Sequence, residues 1–90
     1  MVNTHFTREE AAGTLGNKIQ TRMAFSGIPA GTTGVVSAMY NAGGNEWGID
    51  VTWNLKNRKG KPPVIDGFSK TEYESFLTVI SVPESNKVNL

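Results

Sequence analysis

The chain has 90 residues, of which 38% are hydrophobic and 19% are charged, which is typical of one small globular domain rather than of a disordered chain. Nine Lys and Arg oppose eight Asp and Glu, and the formal net charge is +1. Any attraction to nucleic acid must therefore come from a local patch. Because the chain has no cysteine, a disulfide scaffold, a thiolate metal site and a cysteine nucleophile are excluded.

The sequence gives no sign of export or of membrane insertion. The segment 1–5 is polar and no apolar run follows it, so no signal peptide is predicted. No segment approaches the ~20 apolar residues that a membrane-spanning helix needs. The lack of cysteine fits a reducing compartment. We therefore expect a soluble, cytoplasmic protein that makes no membrane contact.

A helix is predicted near the amino terminus. Thr7 stands where its side chain can cap the amide of Glu10, and Glu10 can reach back to Thr7, which is the pattern of a capping box. Gly13 and Gly16 limit this helix to about two turns, over 7–15. We expect it to cover one end of the strands that follow.

The same helix-start pattern occurs a second time, near the end of the chain. Ser69 is a capping residue and Glu72 follows three positions later. Tyr73, Phe76 and Leu77 then form one apolar stripe over about two turns. The sequence predicts a helical turn just before the last strand.

Two stretches alternate with the period of a half-buried strand, 18–25 and 47–53. In the first, the residues expected to face inward are Ile19, Thr21, Met23 and Phe25. In the second, they are Trp47, Ile49, Val51 and Trp53. Since each large apolar side chain contributes ~2 kcal/mol when fully buried, the second stretch is the best core strand in the chain.

A third strand is predicted over 33–40, between two turns. The loop 26–31 precedes it, and Pro29 fixes its own φ there. Gly34, inside the strand, indicates a bulge or a close approach of another backbone. The segment 41–45 follows and is the clearest hairpin turn in the chain.

The remainder of the chain supplies two shorter strands. The loop 56–63 is basic and ends in two prolines, and short strands are predicted over 64–68 and 78–82. The composition of 83–90 is that of a flexible tail. The prediction is one domain over 1–82.

The predicted layout resembles an SH3-like barrel. It has five short strands, a long loop after the first strand and one helical turn before the last. We therefore predict a mostly β, five-stranded SH3-like barrel with a short helix at its amino terminus. Within it, Gly31-Thr32-Thr33-Gly34-Val35-Val36 resembles the Gly-x-x-Gly-x-Val turn of the KOW motif, found in ribosomal proteins and bacterial transcription elongation factors. The resemblance covers about a quarter of the chain. The basic residue that often precedes the first glycine is Ala30 here, so the likeness informs the fold more than the function.

No catalytic motif is present. His5 is the one histidine and lies in a polar leader, without other metal ligands at a recognisable spacing. The neighbouring carboxylates, Glu9 with Glu10 and Glu72 with Glu74, stand at predicted helix starts, where they favour the helix dipole. We expect no enzyme activity, no cofactor and no metal.

The basic loop is a candidate nucleic-acid site. Lys56, Arg58, Lys59 and Lys61 place four positive charges within six residues, with no acid between them. Such a run beside an exposed aromatic ring suits a phosphate backbone and a stacked base. The alternative is a solvated loop whose charge keeps an edge strand from pairing with other chains.

Candidate partner-binding residues are Ile28, Pro29, Tyr40 and Trp53, and at least one of the two tryptophans is expected in the core. The segment 26–33 has no charge and lacks the acidic run of Src-type peptide binders, so proline-rich ligands are not expected. The predicted function is a non-catalytic binding module, an accessory or regulatory subunit that docks on a protein partner. The alternative is a KOW-like nucleic-acid-binding protein that uses the basic loop 56–61.

Overall fold

The computed structural model describes residues 4–25, 27–55 and 60–83. These residues form a five-stranded antiparallel sheet and two short helices, so the mostly β class is confirmed. The elements in chain order are α1 (Arg8–Thr14), β1 (Lys18–Thr21), β2 (Thr33–Gly43), β3 (Glu46–Trp53), β4 (Ile65–Phe68), α2 (Lys70–Phe76) and β5 (Leu77–Ser81). The strands lie in the order β4-β3-β2-β1-β5.

The long strand β2 is the centre of the sheet. Its first residues pair with β1, and it pairs with β3 along most of its length. The register with β3 shifts between Val36 and Ala38, so Ser37 is an extra residue that bends the strand. The predicted hairpin turn is confirmed, but it is tighter than 41–45, because β2 continues to Gly43 and β3 begins at Glu46.

Gly34 lies where the two pairings of β2 meet, opposite Ile19 on one side and Trp53 on the other. A methyl group at this position would lie 2.8 Å from Val51 Cγ1 and 2.9 Å from the carbonyl oxygen of Thr52. The close backbone approach predicted for Gly34 is confirmed. Only glycine allows β3 to come this near to β2.

Strand β1 is shorter than predicted, since it ends at Thr21 and the chain then bends. Ile19 and Thr21 are buried, as the alternation predicts, but Met23 is exposed. The Thr21 side chain causes this change, because its Oγ1 donates to the carbonyl of Met23 at 2.7 Å and also accepts from the Met23 amide. The inward position predicted for Met23 is therefore wrong.

Both predicted capping boxes are confirmed. Thr7 and Glu10 exchange hydrogen bonds at the start of α1, and Ser69 and Glu72 do so at the start of α2. The Lys70 ammonium donates to Glu10 Oε2 at 2.7 Å and so joins the two helix starts. This hydrogen bond raises the pKa of Lys70 and, with the capping bonds, lowers the pKa of Glu10.

The core lies on one face of the sheet, beneath the helices. Its buried apolar residues are Phe6, Ala11, Ile19, Ile28, Val36, Ile49, Val51, Trp53, Phe68, Tyr73 and Leu77. Of the predicted tail 83–90, Pro83 is described and packs over Gly16, and 84–90 lies outside the described residues. The opposite face of the sheet carries the exposed side chains of β2, β3 and β4.

Replacing Gly34 with alanine should lower the free energy of unfolding by about 1–3 kcal/mol, since the new methyl group overlaps β3. Gly13→Ala in α1 is the matched control, because a methyl group there meets nothing within 4 Å and alanine favours a helix by up to about 1 kcal/mol. Urea denaturation measures both. Equal stability of the two variants would contradict the close approach at Gly34.

Candidate docking face

The structure separates the four predicted partner-binding residues. Ile28 is 2% exposed and Trp53 is 4% exposed, so both belong to the core, whereas Pro29 and Tyr40 are exposed. Tyr40 pairs with Gly48, five residues before Trp53 on β3, which corresponds to roughly 16 Å along the strand. The carbonyl of Pro29 accepts from the Thr32 amide, so Pro29 lies next to the start of β2, whereas Tyr40 lies seven residues after Thr33 on that strand. A partner would therefore reach Pro29 and Tyr40 at different places.

Trp53 is held within a cluster of aromatic rings. Its ring centroid lies 6.3 Å from that of Phe25 and 6.1 Å from that of Phe68, and Phe76 extends the cluster. The indole Nε1 donates to Asp66 Oδ2 at 2.7 Å. Because a buried indole N–H needs an acceptor, this bond fixes the ring in the core and fixes the Asp66 carboxylate against β3.

The loop that carries Pro29 is pinned to the sheet. Phe25 and Ile28 exchange two backbone hydrogen bonds, at 2.8 and 2.9 Å. The Gly31 amide donates to the carbonyl of Thr21, and the buried Ile28 side chain anchors the loop to the core. Pro29 is thus exposed between described residues that these bonds hold against Thr21 and Phe25.

Tyr40 lies on the outer side of the sheet, and its ring packs over two glycines, Gly48 on β3 and Gly67 on β4. Its ring covers Gly48 so closely that a methyl group at Gly48 would overlap it, and its hydroxyl oxygen would lie 3.1 Å from a methyl group at Gly67. The ring of Tyr40 therefore crosses β3 and reaches β4. Glycine is required at the base of this arrangement because any side chain at Gly48 would displace the ring.

Burial of the ring against the sheet raises the pKa of Tyr40, and the carboxylates of Asp50 and Glu72 raise it further. Both effects disfavour the negatively charged phenolate. At neutral pH the Tyr40 hydroxyl therefore stays protonated, and it can donate a hydrogen bond to a partner.

Beside Tyr40, exposed apolar side chains line the same side of the sheet. Val35 on β2 pairs with Thr52 on β3, and Thr52 pairs with Ile65 on β4, so the three residues form one row across the strands. Val35 is 43% exposed and Ile65 is 51% exposed. We call the surface made by Val35, Tyr40, Thr52, Ile65 and Gly67 the outer face.

The predicted nucleic-acid site lies mostly outside the described residues. Lys56, Arg58 and Lys59 belong to the segment 56–59, and Lys61 is described and exposed.

A groove with a volume of about 460 Å³ lies between α1 and the β2–β3 turn. Half-buried Trp47 lines it, and the Arg8 guanidinium lies over the indole ring at 6.0 Å. Two backbone bonds between Phe6 and Trp47 hold the start of the chain against β3. Of the two tryptophans, Trp47 is the more exposed, because Trp53 is buried in the core.

The sequence analysis did not single out Val35 or Ile65. Val35 is followed by a second valine, so the sequence does not say which of the two faces outward, and only the burial of Gly34 and Val36 in the structure places Val35 on the exposed side. Ile65 has no local signal either, because its exposure depends on β4 being the last strand of the sheet.

Metal ligands are not clustered in the part of the chain that the structure describes. Within 4–25, 27–55 and 60–83, no group of three or more His, Cys, Asp or Glu residues is placed to hold a metal ion. His5 Nδ1 lies 3.4 Å from Glu46 Oε2 and 3.0 Å from the Thr4 hydroxyl oxygen. Across the same residues, no helix is long and apolar enough to cross a membrane.

Comparison with known proteins gives no relative: no family model, no curated protein and no solved structure matches this chain. The site must therefore be interpreted from its own geometry.

Replacing Trp53 with alanine should lower the free energy of unfolding by about 3–5 kcal/mol, because it empties the aromatic cluster and leaves Asp66 without its donor. Ile65→Ala is the control and should change stability by no more than about 0.5 kcal/mol, since its side chain is half exposed. Urea denaturation compares the two. A Trp53→Ala variant as stable as the wild type would show that Trp53 is not a core residue.

Asp50→Asn should lower the pKa of Tyr40 towards its usual value of 10.0, since one of the charges that disfavour the phenolate is removed. The pKa of Tyr40 is higher in the folded state than in the unfolded state. The free energy of unfolding therefore contains the full contribution of Tyr40 below the unfolded-state pKa and loses it as pH rises through the folded-state pKa. NMR of the tyrosine ring carbons as a function of pH measures the shift. Tyr73, whose pKa is raised chiefly by burial, is the internal control. A Tyr40 pKa that does not fall would contradict the arrangement.

Proposed function

We propose that the sheet curls into a partly open SH3-like barrel, in which β4 and β5 stay the two edges, and that the chain is a non-catalytic binding module, an accessory or regulatory subunit that docks on a protein partner through the outer face. The strand order, with β5 beside β1 and β2 pairing with both β1 and β3, supports the barrel. So do the bend of β2 at Ser37 and the helix between β4 and β5.

The observation that carries the proposal is the outer face itself. It presents the exposed side chains of Val35, Ile65 and Tyr40 on strands whose positions are fixed by the sheet. Val35 and Ile65 lie on either side of Thr52, whose hydroxyl donates to that of Ser37, and exposed apolar groups gathered on one surface in this way indicate an interaction site. A tyrosine held over glycines loses little conformational freedom when a partner covers it, which makes it an efficient anchor.

The charges around the outer face suggest the chemistry of the partner. Asp50 and Glu72 lie beside Tyr40, near enough to raise its pKa. Lys18 pairs with Val35 at the other end of the row. A complementary protein surface would be apolar at its centre, with basic groups near Tyr40 and an acidic group near Lys18.

Partner capture with matched variants tests this proposal. Wild-type protein, Ile65→Lys and Val79→Lys are immobilised and exposed to a lysate of the source cells, and the captured proteins are compared. Val79, on β5, is 41% exposed and lies outside the outer face, so it receives the same change at a similar exposure. We expect one protein that binds wild type and Val79→Lys and is reduced at least tenfold by Ile65→Lys. Equal capture by all three forms, or no specific capture, would contradict docking through this face.

The alternative stays a KOW-like nucleic-acid-binding protein that uses Lys56, Arg58, Lys59 and Lys61, a reading supported by the charge run in the sequence. Titration with labelled RNA and DNA at two salt concentrations tests it. Binding that weakens steeply with salt, with a slope of roughly three or four phosphate contacts, and that is lost when the four residues become alanine, would favour this alternative. No binding at low salt would exclude it.

A further inference from the structure

The free edge of β4 has a defined pattern of backbone groups. The Trp53 amide donates to the carbonyl of Val64 at 3.0 Å, and Thr52 pairs with Ile65. In an antiparallel ladder this makes Thr52 and Ile65 a pair without hydrogen bonds between them, so Asp66 and Phe68 bond to β3. The N–H and C=O groups of Ile65 and Gly67 therefore point away from the sheet.

These four groups are left without partners among the described residues. On either side of them, the residues that follow the same outward pattern have no free N–H to donate. Pro63, two residues before Ile65, has no N–H to offer. The amide of Ser69, two residues after Gly67, already donates to Glu72 Oε1 at 2.8 Å. The edge of β4 thus offers two donors and two acceptors at adjacent outward positions, which suits a short extended segment.

The side chains along this edge alternate in character. Ile65 and Gly67 belong to the outer face, with the hydroxyl of Tyr40 above Gly67. Asp66, between them, points to the opposite side of the sheet, where its carboxylate accepts from Trp53. An added strand would place side chains opposite Ile65 and Gly67 on the outer face, and the side chain between them opposite Asp66.

We propose that the partner adds an extended strand to the edge of β4, with a basic residue opposite Asp66 and apolar residues on either side of it. This inference rests on the proposed function, because the added strand continues the outer face. Charge complementarity with Asp66 favours the basic residue. The apolar neighbours extend the row that ends at Ile65 and fill the space above Gly67, beside Tyr40.

A second copy of the chain does not fit this edge. The register that satisfies all four outward groups of two antiparallel copies places Asp66 directly opposite the Asp66 of the other copy, and like charges directly opposite destabilise a strand pair. Asp66 therefore selects against self-association and for a basic partner.

The other edge of the sheet, at β5, is already protected. The register with β1 shifts between Lys18 and Ile19, so Ile80 is an extra residue that distorts the edge. The Arg22 guanidinium also donates to the outward carbonyl of Leu77 at 2.7 Å. Among the described strands, β4 is the edge that is open to an added strand.

A peptide titration tests the proposal directly. The probe is a blocked peptide with valine-lysine-valine at its centre and threonines on either side, added at up to about 5 mM to isotopically labelled protein. We expect shifts of the Ile65 and Gly67 amide signals and slower hydrogen exchange at both. A peptide with glutamate in place of lysine should bind about two- to fivefold more weakly. No change at the two amides, or equal binding of the two peptides, would overturn the proposal.

Two variants at one position separate strand addition from docking by side chains alone. Ile65→Thr shortens the side chain and keeps the outward N–H, whereas Ile65→Pro removes that N–H and leaves the ladder with β3 intact. Thermal unfolding shows first that each variant is folded; if Ile65→Pro is not, the peptide titration decides the question.

Strand addition predicts that Ile65→Pro weakens binding of the lysine peptide and of the captured partner at least fivefold more than Ile65→Thr. Equal loss in the two variants would overturn strand addition and leave docking on the outer face standing. Partner capture that neither variant reduces would instead contradict the proposed function.

Discussion

The rest of the structure depends on the simultaneous pairing of β2 with β1 and β3. Gly34 is the residue at which both pairings occur, with Ile19 on one side and Trp53 on the other. The absence of a side chain lets Val51 and Trp53 approach the backbone of β2 closely. This contact brings Trp53 into the aromatic cluster and sets the register of β3. The position of β4 follows, because β4 pairs with β3.

That register also determines the surface. Once Val36, Val51 and Trp53 face the core, Val35, Thr52 and Ile65 must face the other way, because strand side chains alternate. The extra residue at Ser37 bends β2, and beyond the bend Tyr40 lies over Gly48 and reaches β4. One set of strand pairings therefore produces both the core and the outer face. In this account the same pairings also leave the edge of β4 open.

Local features of this fold were predictable from the sequence, and features that depend on distant contacts were not. The boxes at Thr7 and Ser69 and the inward face of β3 are encoded within a few residues, and the structure has them. The orientation of Met23 could not be predicted, because a side-chain bond of Thr21 to its neighbour ends the strand early. For the site, the exposure of Tyr40 was anticipated. The burial of Ile28 depends on how its loop pairs with Phe25 and packs on the core, and the exposure of Ile65 depends on β4 being an edge strand of the sheet. Neighbouring residues in the sequence do not encode either.

The most direct test of the account is amide hydrogen exchange along β4 in the free protein, measured by NMR. If β4 is an open edge that pairs with β3 in the stated register, Asp66 and Phe68 exchange slowly, whereas Ile65 and Gly67 exchange at rates close to those of exposed amides. Slow exchange at all four positions would show that the edge is already covered and would contradict the account. The alternating pattern would establish the open edge on which the docking of a partner strand depends.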